Sequence, residues 1–337
     1  MKISEQGGFG YGGQKKEQKS KKILPLGVGA VLGTGAAVFG GCRWLFNYAI
    51  ERKQWNVHGL MYRLLEGNGE PDPYYKEVDK AEEELKKLPY EPVTLQSVDG
   101  KTLRGRFYSG KEGVQDVFLA VHGCRNRGTR EYSFLSSYYR KAGVPFLLID
   151  LRACGDSEGD YMTYGWKESE DLLLWISWLI GKCGESCRIF LHGISMGAGT
   201  VLMTGERELP EQVAGVIADC GYTSACDEFS YQMKKCFHLP VTAPILFLTN
   251  LISKRKAGFD IRKAAPVEAV KKSKVPHLFI HGEEDDYVPF YMMEELYQAC
   301  AAPKWKVAVP GAVHARSYYV NPELYEESVE KFRAVTR

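Results

Sequence analysis

The sequence predicts an α/β protein with a doubly wound, mostly parallel sheet, an inserted helical cap and one transmembrane helix near its N-terminus. Three observations predict this class. Apolar runs of strand length alternate with helical segments from about residue 93 onward. The alternation stops between residues 222 and 267, over a stretch too long for an ordinary loop. A run of 20 uncharged residues, Ile23 to Cys42, lies far upstream.

The N-terminal part divides into a tail and a span. Residues 1–22 are polar and rich in glycine, glutamine and lysine, so we expect a disordered basic tail. Residues 23–46 are predicted to form a single transmembrane helix, because their six glycines and one proline would make a poor helix in water. A cleaved secretory signal, a lipoprotein signal ending at Cys42 and a buried soluble helix remain alternatives.

Charge sets the predicted topology. The lysine cluster before the span outweighs the basic residues after it, which predicts a cytoplasmic N-terminus and an extracytoplasmic folded domain. The nine cysteines are awkward for an exported domain, so a reducing environment or the opposite topology stays open. A net charge of +2 gives no argument for nucleic-acid binding. A stripe of small residues could support weak dimerisation: Gly29, Gly33, Ala37 and Gly41.

The predicted elements follow in order. Residues 47–92 form a connector that contains an amphipathic helix from Tyr74 to Leu88. Residues 93–97 and 102–108, joined by Asp99-Gly100, predict a hairpin at the front edge of the sheet. Further strands are predicted at 117–121, 146–150, 188–192, 213–218, 277–281 and 305–309, with helices at 130–142, 166–180 and 196–207. The main domain is therefore expected to span residues 93–337, with its cap at 222–267.

One sequence motif carries most of the chemical information. Gly193-Ile194-Ser195-Met196-Gly197 follows a strand-like run and precedes a helix of small residues. A tight turn between strand and helix leaves room only for glycine on each side and exposes the hydroxyl at its apex. The motif predicts Ser195 as a nucleophile, which needs a base and an acid that orients the base.

The base and the acid are expected at the ends of later strands. His314 lies in a loop after the strand at 305–309, where an open α/β sheet gathers its functional groups. Four carboxylates follow the strand at 277–281, and chemistry alone does not choose between Asp285 and Asp286.

The order Ser195, Asp285 or Asp286, His314 resembles that of the α/β-hydrolase superfamily, and in particular its capped esterase and serine-aminopeptidase-like branch. The resemblance runs from about Val93 to the C-terminus. The acid-loop pattern H-G-x-x-D-x-x-V-P, beginning at His281, selects Asp285.

Two further loops carry the same resemblance. Val121-His122-Gly123-Cys124 is similar to the turn after strand three, and it implies that the backbone N–H groups of Cys124 and Met196 bind the oxyanion. Residues 150–159 resemble the D-x-R-G-x-G-x-S-x-G loop after strand four, with Ala153 in place of a glycine.

The resemblance implies a serine hydrolase that cleaves a small carboxylic ester without a metal or an organic cofactor. A serine peptidase or amidase, and a non-catalytic binding protein on the same fold, are the alternatives. The cap is expected to line an acyl pocket with Leu246, Phe247 and Leu248, or else simply to pack on the core.

Overall fold

A computed structural model describes residues 26–52 and 72–336, with side chains described from Val38 onward. The predicted tail, residues 1–22, lies outside the described residues. The chain divides into two compact units, one ending at Gly40 and the other running from Gly41 to Arg337.

The second unit is built on an eight-stranded sheet with the order β1-β2-β4-β3-β5-β6-β7-β8. The pairs β1–β2 and β2–β4 are antiparallel, and all the others are parallel. This confirms the predicted doubly wound, mostly parallel α/β architecture. The strands are β1 (Glu91–Gln96), β2 (Thr102–Tyr108), β3 (Asp116–Val121), β4 (Phe146–Asp150), β5 (Arg188–Ile194), β6 (Val213–Asp219), β7 (His277–Gly282) and β8 (Lys304–Val309).

Helices cover both faces of this sheet. In β3 the side chains alternate, with Val117 and Leu119 in one hydrophobic core and Phe118 and Ala120 in the other. The helices are α1 (Leu26–Ala49), α2 (Pro73–Lys86), α3 (Gly128–Glu131), α4 (Leu135–Ala142), α5 (Glu168–Cys183), α6 (Met196–Thr204), α7 (Ala225–Phe237), α8 (Ala243–Lys256), α9 (Pro266–Val270), α10 (Tyr291–Ala299), α11 (Ser317–Val320) and α12 (Pro322–Val335).

Two predicted elements differ in detail. The expected helix at 130–142 is two helices, α3 and α4, separated around Tyr132. The Tyr132 side chain is fully buried, and its hydroxyl donates to the His192 carbonyl at 2.6 Å. The amphipathic helix α2 buries Val78 and Leu85 as predicted, whereas Tyr75 is exposed.

The inserted cap lies between β6 and β7. Helices α7 and α8 and a short 3₁₀ turn at Ile261–Lys263 form it. Ser224 caps α7, because its hydroxyl accepts from the Asp227 N–H at 3.0 Å.

The N-terminal helix α1 covers most of the run that the sequence predicts to cross a membrane. Within residues 26–52 and 72–336, no helix combines the length and the hydrophobicity that a bilayer crossing requires, so the predicted transmembrane span is not supported. Gly29, Gly33 and Ala37 lie within α1, but their side-chain surroundings are outside the described part, and the predicted dimer stays a prediction.

The part of α1 from Gly41 onward belongs to the second unit and is packed within its core. Cys42 and Phe46, on one face of the helix, and Ile50, directly after its end, are fully buried. The Ala49 carbonyl accepts a hydrogen bond from the Tyr164 hydroxyl at 2.9 Å, and the Ile50 carbonyl accepts one from the Met162 N–H at 2.9 Å. The end of α1 is therefore part of the core of the domain.

Candidate active site

Ser195 stands on the tight turn between β5 and α6. Its backbone has φ 56° and ψ −115°, a strained conformation for a residue with a side chain. A Cβ at Gly193 would lie 2.2 Å from the Gly197 carbonyl oxygen, and one at Gly197 would lie 1.9 Å from that of Val121. Both glycines are therefore required by the close approach of backbone, as the sequence motif predicts.

His314 lies in the loop after β8 and faces this serine. Its Nε2 is 2.9 Å from the Ser195 Oγ, and its Nδ1 is 2.8 Å from Asp285 Oδ2. Because an ionised carboxylate only accepts, Nδ1 carries the proton and Nε2 is free to accept from the serine hydroxyl. The structure thus brings Ser195, His314 and Asp285 together in one hydrogen-bonded chain.

Asp285 is held rigidly in the loop after β7. Its Oδ1 accepts from the N–H groups of Tyr287 at 3.0 Å and Val288 at 2.9 Å. Asp286 points elsewhere: its exposed carboxylate pairs with Lys235 at 2.7 Å. The geometry therefore favours the same aspartate as the acid-loop resemblance.

The pKa shifts of His314 and Asp285 suit a base and the acid that orients it. Burial raises the pKa of Asp285, but hydrogen bonds from His281 and His314 outweigh it and hold that pKa well below its usual range. Burial lowers the pKa of His314, but the hydrogen bond and charge of Asp285 outweigh it, with smaller contributions from Glu228 and Glu131, so the pKa is raised. Asp285 stays ionised, and it stabilises the imidazolium that forms when His314 takes a proton.

Two backbone N–H groups lie beside the serine, those of Cys124 and Met196. Within the described part of the chain, neither N–H has a hydrogen-bond acceptor. The turn that carries Cys124 is fixed by its neighbours: His122 Nδ1 donates to the Gly123 carbonyl at 2.7 Å, and the Gly123 N–H donates to Glu131 at 3.0 Å. Free donors on a rigid turn are what an oxyanion site requires.

The comparison with known families agrees with this geometry. Residues 70–258, more than half of the chain, match the family described as X-Pro dipeptidyl-peptidase (S15 family). The chain belongs to the S15 family. The match includes Cys124, Ser195 and Met196. The protein is accordingly an enzyme, a serine hydrolase, which confirms the class that the sequence predicts.

This S15 enzyme is also similar to individual known proteins. It is 27% identical over 238 residues to the uncharacterized protein YqkD of Bacillus subtilis, covering 71% of this chain and 77% of that protein. It is 27% identical over 192 residues to the lysophosphatidylserine lipase ABHD12 of Danio rerio, covering 56% of this chain and 48% of the lipase. The esterase PF2001 of Pyrococcus furiosus has the same fold, with a TM-score of 0.58, 23% identity, and coverage of 79% and 94%.

In this S15 enzyme, Ser195 lines a cavity of about 590 Å³. That volume suits a small organic ligand. Most of its lining is apolar and comes from two helices that are far apart in the sequence. The last turns of α1 and the cap helix α7 supply Trp44, Leu45, Tyr48, Phe229, Met233 and Phe237.

This lining corrects one prediction and adds a feature that the sequence reasoning missed. Leu246, Phe247 and Leu248 do not line the cavity, and Phe247 is 63% exposed. They lie on α8, whereas α7 is the cap helix that faces the serine. The contribution of α1 had a signal in the sequence, because Cys42, Phe46 and Ile50 recur at helical spacing.

Glu228 is an unexpected polar group in the cavity wall. It is 5% exposed, and its Oε2 has no hydrogen-bond partner among the described residues, while Oε1 accepts from Gln232 at 2.9 Å. Burial raises its pKa to about 7. Its charge therefore develops near neutral pH, close to His314.

Two further buried groups near the site, His192 and Cys220, have explanations other than catalysis. His192 joins the hydroxyls of Tyr139 and Tyr325, each at 2.7 Å, and burial lowers its pKa to about 3. Cys220 lies with Asp285 and His314 in a group that could ligate a metal ion. Burial raises the pKa of the Cys220 thiol, which disfavours the thiolate a metal prefers. Asp285 and His314 are already hydrogen-bonded to each other, and this bond explains why the three side chains lie together.

Proposed function

We propose that this protein is a carboxylesterase for esters with an apolar acyl chain. The observation that carries the proposal is the hydrogen-bonded chain Ser195–His314–Asp285 at the wall of a largely apolar cavity. The named lipase and esterase relatives, which act on esters according to their names, support the same substrate class.

The geometry suggests a two-step acyl transfer. The Ser195 Oγ attacks the ester carbonyl while His314 Nε2 takes its proton, and the N–H groups of Cys124 and Met196 bind the oxyanion. The tetrahedral intermediate collapses, the acyl–oxygen bond breaks, and His314 returns the proton to the departing alcohol. Water then attacks the acyl-serine with the help of His314 and releases the carboxylic acid. Asp285 keeps the imidazole in the Nδ1–H tautomer throughout.

Selectivity for the acyl chain is assigned to the apolar wall formed by α1 and α7. Apolar surface removed from water stabilises a bound chain by about 25 cal/mol per Å². The aromatic rings are well placed for such burial, since Trp44 stacks on Tyr48 at 5.2 Å and meets Phe237 edge-on at 5.8 Å.

A series of p-nitrophenyl esters from acetyl to dodecanoyl, with matched p-nitroanilides, tests this function. We expect kcat/KM to rise from acetyl to medium chains and the anilides to react far more slowly. Faster cleavage of an anilide than of its ester would favour the peptidase alternative. If purified protein neither cleaves any compound nor reacts with a fluorophosphonate probe, the catalytic proposal fails and the binding-protein alternative stands.

We also propose that the uncharged run Ile23 to Cys42 associates the protein with a membrane, with the hydrolase on the outer side. Its uncharged composition and the lysines before it support this location. The nine free cysteines favour the alternative orientation, with the hydrolase in the cytoplasm, because thiols stay reduced there. Carbonate-washed membranes should retain the protein, and protease added to intact cells should digest the hydrolase. Recovery in the soluble fraction would contradict the proposal.

A further inference from the structure

A second cavity of about 330 Å³ shares Arg125 with the catalytic cavity. It lies among the segments that follow α1, β3 and β4. Four arginines line it, and no acidic residue does so within the described part of the chain. Four like charges around one cavity raise the question of what neutralises them.

Two of these arginines are neutralised by the protein. Arg127 forms a bidentate pair with Glu82, at 2.6 and 2.8 Å. Arg130 pairs with Asp79 and also approaches Glu82, at 3.5 Å. Their charges are therefore balanced by carboxylates of α2.

The other two, Arg52 and Arg125, bind only neutral acceptors. Arg52 donates to the carbonyls of Gly155 at 2.8 Å and of Ser157. Arg125 donates through one Nη2 hydrogen to the Glu51 carbonyl at 3.0 Å. Among residues 26–52 and 72–336, neither guanidinium forms an ion pair with a carboxylate.

Arg125 is also close to the chemistry. It directly follows the oxyanion donor Cys124, and its backbone turns there with φ 56°. Its guanidinium lies 5.7 Å above the Tyr48 ring, which belongs to the apolar wall. Besides the Glu51 carbonyl, this guanidinium meets the neutral Cys124 thiol, and within the described part of the chain no carboxylate satisfies its remaining donors. A guanidinium is always charged at physiological pH, and its planar array of donors matches the oxygens of a phosphate or carboxylate.

We propose that Arg125, assisted by Arg52, binds an anionic phosphate or carboxylate group on the substrate ester, while the acyl chain lies against α1 and α7. This inference rests on ester hydrolysis at Ser195 and specifies its substrate as an amphiphile with an acyl chain and an anionic head.

The full-length protein and two monomeric substrates test the inference: 1-octanoylglycerol 3-phosphate and neutral 1-octanoylglycerol. Arg125→Gln is expected to lower kcat/KM for the phosphate ester roughly tenfold or more, as expected for hydrogen bonds to a charged group, with little effect on the neutral ester. Arg125→Lys should retain part of the preference. Arg255→Gln, on the exposed surface of the cap, changes the net charge equally and should leave both rates unchanged.

Several results would contradict this inference, and each has a different meaning. Equal losses on both substrates in Arg125→Gln, with a normal melting temperature, would mean that Arg125 supports the oxyanion turn and binds no anionic group. Activation of neutral-ester hydrolysis by inorganic phosphate would assign the cavity to a free anion and overturn the substrate assignment. If the wild type cleaves no ester, the proposed function fails. Calorimetric binding of inorganic phosphate then tests the site, and equal binding by wild type and Arg125→Gln would overturn it.

Discussion

The floor and the walls of the catalytic cavity are specified in different ways. On the floor, Ser195, Asp285 and His314 each follow a strand of the sheet, and short motifs fix their positions. The walls come from α1 and α7, whose facing residues are almost 200 positions apart in the sequence. Chemistry is thus encoded locally, whereas the shape that selects a substrate depends on long-range packing. Changes to the floor should abolish turnover, and changes to the walls should redirect it.

The largest effect is expected on the floor. Ser195→Ala should lower kcat by about 10⁶-fold, since removal of a nucleophile from a triad has an effect of that order. Fluorophosphonate labelling and ester turnover measure this. Persistent labelling of the Ser195→Ala protein would place the nucleophile elsewhere.

The next effect separates two adjacent carboxylates. Asp285→Asn should cost about 10⁴ in kcat, because an amide favours the wrong tautomer of His314. Asp286→Asn is the matched control, since its exposed side chain pairs with Lys235 and not with His314. Steady-state kinetics on one ester compare the two. A severe loss in Asp286→Asn with a mild one in Asp285→Asn would refute the assigned geometry.

A substitution in the cavity wall should alter selectivity for the acyl chain and leave the turnover of short esters unchanged. Trp44→Ala is expected to lower kcat/KM roughly tenfold for octanoyl esters through lost apolar burial, while acetyl esters react at near wild-type rates. Phe247→Ala on α8 is the control, because this ring lies outside the cavity. Melting temperatures check that both variants fold. Parallel losses on short and long esters in a stable Trp44→Ala protein would mean that α1 does not select the chain.

The smallest expected effect is a shift of the pH profile, caused by the charge of Glu228 in the cavity wall acting on His314. Activity requires neutral His314, so kcat/KM should fall as pH drops through its pKa, which lies above the usual histidine value. The charge of Glu228 contributes to that rise, so Glu228→Gln should move the acid limb to lower pH. Glu295→Gln, an exposed substitution on α10, should leave the limb in place. An unchanged limb in Glu228→Gln would show that the two groups are not coupled.

The same division explains what the sequence could predict. Strand alternation and the Gly193–Gly197 motif were enough for the sheet and for Ser195. His314 followed from its position after a strand, but Asp285 needed the family resemblance, because four adjacent carboxylates are chemically equivalent in sequence. The N–H groups of Cys124 and Met196 likewise came from the resemblance, since any residue has a backbone donor.

The walls were harder to predict for a physical reason. An apolar helix face suits a lipid environment and a protein core equally well, so the pattern around Cys42 and Phe46 did not distinguish between them. For the cap, composition predicted that the apolar run from Leu246 to Leu248 lines the cavity. In the folded protein, Phe229, Met233 and Phe237 line it instead. Which face of a cap helix meets the serine is decided by packing that no local motif records.

The docking of the last turns of α1 has an evolutionary consequence. Residues at the edge of a domain usually tolerate replacement or loss unless burial or hydrogen bonds tie them down. Here Trp44, Leu45 and Tyr48 line the catalytic cavity. Under the proposed function, selection on substrate choice extends upstream of the hydrolase sheet, into this helix. Paralogues that exchange this helix should acquire new acyl preferences with their triads intact.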